Sequence, residues 1–267
     1  MKIYIFIAYI FFNISLISGQ TTQGEIGYIM RQHLELSSDI IERETMLLFT
    51  DIKSLYTYKD EPKQNAVKKS EDGMSYELVE YDIDTTKKVF YKNLKNDLLV
   101  FRNTVYKTPY IIEEPIPKID WKLTSEKKEI LNYPCQKAIG EFRGRTYHAW
   151  FTDKIPVSTG PYKFNGLPGL ILEIQDTEKE ISFTAFSVKN RTISTELLPP
   201  NNGEKVSSLT YFKKLRDIGK EIEAEAKKEQ LKIMAKFERG DVIPGSFVSV
   251  NTEDWDYIER THELDNK

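Results

Sequence analysis

The sequence predicts an α+β fold, mainly antiparallel β: a curved meander sheet or half-barrel with one long C-terminal amphipathic helix packed on it. Three observations predict it. From Tyr76 onward, short aromatic and β-branched runs recur about every 8–12 residues, with Asp/Thr or Asn/Lys turns between them, which marks hairpins rather than βαβ units. Only one segment, Tyr211 to Phe237, repeats its apolar residues at helical steps. Between them lies a stretch rich in Pro and Gly, Gly160 to Ile174, that reads as a rigid bend feeding a strand.

The chain begins with a segment that does not belong to the fold. Lys2 precedes an apolar run from Ile3 to Ile17, and Ser18-Gly19-Gln20 supplies the small and polar residues of a cleavage region. Residues 1–20 therefore read as a signal peptide, with cleavage after Gly19 or Gln20. The run is short of the roughly 20 residues a permanent span needs. The expectation is a soluble product, periplasmic or secreted, with no membrane span once the signal is removed. Residues 21–200 read as the antiparallel β domain and 201–267 as a helix and tail of the same domain.

Gly24 to Tyr58 reads mostly as β. Ile26, Tyr28 and Met30 fall on one strand face, and Thr45 to Phe49 and Leu55 to Tyr58 are enriched in β formers. Gln32 to Glu44 is open between strand and helical turn. Lys59 to Gly73 is polar and reads as a surface loop. Tyr76 to Tyr81, Lys88 to Tyr91, Leu98 to Phe101 and Tyr106 to Ile112 read as successive strands, ended by Pro115 and Pro117. Glu141 to Phe151 reads as two strands joined near Gly144, or as one strand bulged there. Arg143 and Arg145 flank that glycine. They read as a solvated turn with charged edges, the alternative being an anion clamp.

In the bend, Leu167-Pro168-Gly169-Leu170 places Pro and Gly at the centre of a four-residue turn, the type II pattern, which would put Gly169 at positive φ. Gly160 and Gly166 offer the same freedom. Leu170 to Ile174 then pairs naturally with Ile181 to Val188 across the polar Gln175–Glu180 turn. Pro199, Pro200, Asn201, Asn202 and Gly203 end the β region. In the helix, Tyr211, Leu215, Ile218, Ile222, Ala226, Ile233 and Phe237 form one stripe. Ser207 or Ser208 caps its start, and Gly240 sits at its end.

Gly166-Leu167-Pro168-Gly169-Leu170-Ile171, together with Gly160 and Pro161, resembles the signature of the GLPGLI family of exported bacterial proteins. Tyr133-Pro134-Cys135-Gln136-Lys137-Ala138, Phe142-Arg143-Gly144-Arg145, Ala149-Trp150-Phe151-Thr152 and Ile155-Pro156 are also similar to what precedes the hexapeptide there. The resemblance implies an exported location and this architecture. It transfers no catalytic residue.

Composition narrows the function classes. Hydrophobic residues make up 40% and charged residues 30% of the chain, enough for a buried core. Without Lys2 the chain holds 37 basic and 41 acidic residues, a net charge of −4 that argues against nucleic acid as a partner. Cys135 is the sole cysteine, so the fold stands without an internal disulfide. The first functional reading is a non-catalytic binding, carrier or interaction protein of the cell envelope, whose partner is an apolar ligand or an envelope protein. The alternative is a thiol-dependent hydrolase or transferase with Cys135 as nucleophile and His148 as base. A metal site would have to draw on His33, His148 and His262 together with carboxylates; the histidines are far apart in sequence and lack ligand spacing, so no metal or cofactor is expected.

Overall fold

A computed structural model describes residues 22–33, 40–59, 64–69, 76–81, 88–105 and 108–218, with helical positions 220, 224, 227 and 228 beyond them. Among these residues fourteen strands follow in chain order: β1 (Gly24–His33), β2 (Ile40–Phe49), β3 (Lys53–Tyr58), β4 (Gln64–Lys69), β5 (Tyr76–Tyr81), β6 (Val89–Asn93) and β7 (Leu98–Val105). Then come β8 (Thr108–Pro115), β9 (Lys122–Ile130), β10 (Tyr133–Phe142), β11 (Arg145–Thr152), β12 (Leu170–Asp176), β13 (Ile181–Asn190) and β14 (Glu204–Val206). Twelve of them form one sheet in the order β14-β8-β7-β6-β3-β2-β1-β13-β12-β11-β10-β9. All of its pairs are antiparallel except β14 with β8. The sheet is open: β14 and β9 are its edges.

The connections show why the sheet must curl. β8 and β9 are ten strand spacings apart in the sheet order, about 48 Å if it were flat. The chain from Pro115 to Lys122 spans at most about 25 Å. Arg143, in the turn after β10, accordingly comes within 4.0 Å of Glu114 on β8. The expected curved sheet of an α+β fold is what forms, as an unclosed half-barrel whose gap is bridged by residues 116–121.

Turn chemistry sets the register at one end. Leu131 and Asn132 (φ 52° and 65°) join β9 to β10, and Arg143 and Gly144 (φ 49° and 78°) join β10 to β11. Two consecutive positive φ values are the signature of the two-residue turns that match strand twist. Glu141 to Phe151 is therefore two strands, paired from Gln136↔Phe151 to Phe142↔Arg145. The expected pairing of β12 with β13 also forms.

Two readings of the chain are corrected. The polar stretch 59–73 is not all loop, since it contains β4. The strand at Tyr76 does not continue the meander but pairs with β4 in a separate two-stranded sheet. Polar composition marks the β4 stretch as loop, and the strand pattern of Tyr76–Tyr81 does not name its partner. The signal segment, Gly240 and the tail lie outside the described residues, as does most of the helix beyond 218.

The concave face holds the main core: Tyr28, Leu47, Phe49, Tyr56, Phe90, Phe101, Phe183 and their neighbours. Two pieces cover it. One is the irregular segment 155–169. The other is the helix α1 (208–218), which brings Tyr211 onto Phe101 and Tyr110. Ser207 caps α1: its Oγ accepts the Thr210 N–H at 3.1 Å. On the convex face a smaller cluster forms where residues 191–203 cross the sheet from β13 to β14, seating Leu197 with Tyr91, Val100 and Ile111. Among the described residues no helix is long and apolar enough to cross a membrane.

Candidate functional site

The segment 155–169 is a plug. Eleven of its fifteen residues are buried. Ile155, Val157, Tyr162, Phe164 and Leu167 are each at most 2% exposed. Phe164 meets Phe142, Tyr147 and Phe183, from β10, β11 and β13, at ring separations of 5.4, 4.8 and 5.9 Å. Tyr162 meets Phe90 of β6 at 4.6 Å. Two rings of one loop thus bind both wings of the curved sheet together.

Its backbone is satisfied locally. The N–H groups of Val157, Thr159 and Gly169 each bond the carbonyl two residues back, at 2.8 Å. Pro156 and Pro168 sit at the centres of two of these three-residue turns, where a φ fixed near −65° suits the bend. Leu170 N–H bonds Ile155 O and Ile171 N–H bonds Thr159 O, at 3.0 and 3.1 Å. Asn165 Nδ2 donates to Pro117 O, and Trp121 Nε1 donates to Asn165 O, at 3.1 and 2.7 Å. These bonds fasten the plug to the bridge across the gap.

The glycines of the motif act differently from the expected turn. Gly166 has φ +91°, but Gly169 does not adopt positive φ. A Cβ on Gly169 would lie 2.1 Å from Thr152 O, and one on Gly160 would lie 2.9 Å from Ile171. The type II assignment is therefore replaced by a three-residue turn at Pro168. Gly169 is required for close backbone approach to β11 instead. Leu170 and Ile171 then enter β12 fully buried.

Charged groups lie beneath the plug. Lys92 and Lys163 are both 0% exposed. Lys92 Nζ donates to Gly160 O (2.9 Å) and Phe164 O (2.8 Å), and burial holds its amine down at about 7. Lys163 Nζ stands 3.2 Å from Glu114 Oε1 and 4.1 Å from the centre of the Phe101 ring. Glu114 also accepts Ser208 Oγ at 2.9 Å, so one carboxylate of β8 gathers the plug, the β10–β11 turn and α1. Tyr91-Lys92-Asn93 carries no local mark of this. The one available signal is the alternation that puts Lys92 on the same strand face as Phe90.

Arg143 and Arg145 are not a solvated turn. Both are buried. Arg145 Nη1 binds Asp176 at 2.7 Å and also Glu178 and Glu180. Asp176 in turn accepts Ile181 N–H at 2.9 Å, closing the β12–β13 turn. The three carboxylates lie within 4.8 Å of one another, and the guanidinium provides their positive charge. The clamp binds the chain's own acids.

Cys135 is buried in β10, with Sγ near Tyr133 O at 3.4 Å, and desolvation pushes its thiol up to about 11. That holds it in the unreactive form. His148 lies opposite Ile139, four residues along β10 from Cys135. It is half-buried on β11, whereas the Cys135 side chain joins the concave-face core with Ala138 and Phe142. The structure does not bring the two together. His33 is exposed at the end of β1, three strand spacings from β11 in the sheet order, and His262 lies outside the described residues.

A family model described as a protein of unknown function (Porph_ging) matches residues 142–173, from the β10–β11 turn through the plug into β12. No curated protein matches the sequence. Among solved structures, PNGF-II in the P21 space group is similar with a TM-score of 0.51 and 21% identity, over 72% of this chain and 32% of that chain. PNGF-II in the C2 space group gives 0.50 and 20% over the same shares. The chain thus spans about a third of the proteins whose fold it resembles, and at this identity the likeness is one of fold.

Proposed function

We propose that this chain is an exported, non-catalytic interaction protein of the cell envelope, of the GLPGLI family, and that its partner is a protein rather than a carried apolar ligand. One observation carries the choice between those partners: the concave face is filled by the chain's own plug. Ile155, Val157, Phe164 and Leu167 bury side chains worth about 1.5–3 kcal/mol each, on the order of 6–12 kcal/mol together. A whole domain has a margin of about 5–15 kcal/mol. Swinging the plug aside for a ligand would spend most of that margin, so the segment acts as core and not as a lid. The apolar run from Ile3 to Ile17 and the small residues after it support export.

Purification from the native envelope with mild crosslinking, followed by solvent extraction of the purified chain, tests this. A reproducible protein partner and no stoichiometric lipid are expected, with a mature N-terminus after Gly19 or Gln20. Equimolar lipid in the extract overturns the choice in favour of a carrier. Cys135→Ala is expected to leave capture unchanged.

A further inference from the structure

Gly160 and Phe164 bracket the tip of the plug that carries Tyr162, and Lys92 binds both of their carbonyl oxygens. One amine from β6 therefore ties the two ends of the tip to the sheet. Two acceptors match the two N–H groups of a neutral amine. An ammonium brings a third N–H and a full charge into the same space. Ser54 of β3 stands across from Lys92 and bonds Thr159 of the plug at 2.9 Å, and Leu99 of β7 stands on its other side.

The titratable groups on the elements packed here carry no negative charge toward it at neutral pH. On β3 they are the core tyrosines Tyr56 and Tyr58. On β7 the inward positions are Leu99, Phe101, Asn103 and Val105. In the plug they are Tyr162 and Lys163, and Lys163 faces Glu114. Burial alone accounts for the lowered amine.

We propose that Lys92 makes the seat of the plug proton-linked: a neutral amine holds 155–169 against β6, and unseating the segment takes up a proton. The amine goes from about 7 in the folded chain to its ordinary 10.5 once released, so between those values the released chain binds more protons. The penalty is complete below about 7 and is relieved as the pH rises toward 10.5. Other buried groups act in the opposite sense, but only higher up. Burial raises Cys135, Tyr28 and Tyr56, and each loses stabilisation as the pH climbs past the ordinary value of its type, 9.0 for the thiol and 10.0 for the phenols. Among the described groups whose shift is resolved, only Lys92 changes its charge between pH 7 and 9.

Urea unfolding of the full chain across pH 6 to 9 tests the proposal, with Lys92→Met as the chain that cannot titrate there. The wild-type folding constant should change by less than about twofold from pH 6 to 7, then rise about 50-fold from 7 to 9, while Lys92→Met stays level. A level or falling wild-type curve above pH 7, or a rise retained in Lys92→Met, overturns it. If that variant does not fold, the carbon-13 shift of Lys92 Cε in the wild-type chain decides. A midpoint nearer 7 than the ordinary 10.5 supports the link, and one nearer the ordinary value overturns it.

Discussion

The plug on the concave face and the crossing on the convex face are both irregular, both about one strand pair long, and differ in almost everything else. The plug, 155–169, buries eleven of its fifteen residues; the crossing, 191–203, buries only Leu197. Irregular backbone is usually kept at the surface because its polar groups need water. The plug escapes that limit by pairing within itself through turns at Pro156 and Pro168 and by borrowing Lys92 and Ser54 from the sheet and Trp121 from the bridge 116–121. The crossing is tied by Ile193 N–H to Gln23 Oε1 at 3.1 Å and, Leu197 apart, stays open to water. The Pro- and Gly-rich motif is thus a way of building core from non-repetitive chain.

If that is right, the two segments should differ most under substitution, and the largest effect belongs to Gly169. A side chain there collides with a backbone oxygen of β11 that cannot move without unpairing β11 from β12. Gly169→Val should yield no soluble folded chain. Gly169→Asn sharpens the test, because Asn tolerates positive φ where other residues do not. If Gly169 served a left-handed turn, Asn would rescue folding. With close approach as the cause, Asn should fail as Val does, as circular dichroism and yield would show.

Phe164→Ala comes next. Its ring contacts three strands and is 0% exposed. The loss should be about 4–5 kcal/mol, at the upper end for core aromatics, because the wings of the sheet cannot collapse onto the vacated space without breaking the plug's bonds to 116–121. Urea unfolding reads it. A loss under about 2 kcal/mol would mean that the plug is a cover and not a keystone.

The sequence showed the sheet more clearly than it showed the plug's chemistry. Aromatic, β-branched and apolar runs mark β6, β7, β8, β11, β12 and β13, and the turn residues near Gly144 and Gln175 mark two of their hairpins, whereas the charged run Lys122–Ile130 carries no alternation that singles out β9. The motif was legible as rigid. It was not legible as buried, because Tyr162, Lys163 and Asn165 look like loop residues until the sheet curls around them. Gly169 was assigned the wrong reason for being glycine, since a close approach depends on Thr152, seventeen residues away, and leaves no local pattern. The burial of Arg143 and Arg145 was missed for the same cause: their partners, Glu114 and Asp176, stand on β8 and β12. The crossing of the convex face could not be read either, because nothing local to Pro199-Pro200 says that the chain resumes as β14 at the far edge.

The smallest effect is expected on that crossing, at Leu197. It is 5% exposed, yet its cluster contains only Tyr91, Val100 and Ile111, with Leu48, Leu55, Leu98 and Ile193 partly buried beside it. A shallow cluster roofed by a single strap can close over a lost side chain, so Leu197→Ala should cost about 2 kcal/mol, the low end for a buried leucine. The neighbouring Leu198 is 61% exposed, and Leu198→Ser should change stability by less than about 0.5 kcal/mol. Measured together with Phe164→Ala in one urea series, the three changes should fall in the order plug, strap, surface. A Leu197→Ala loss equal to that of Phe164→Ala would make the convex strap as much a part of the core as the plug, and the contrast between the two faces would fail.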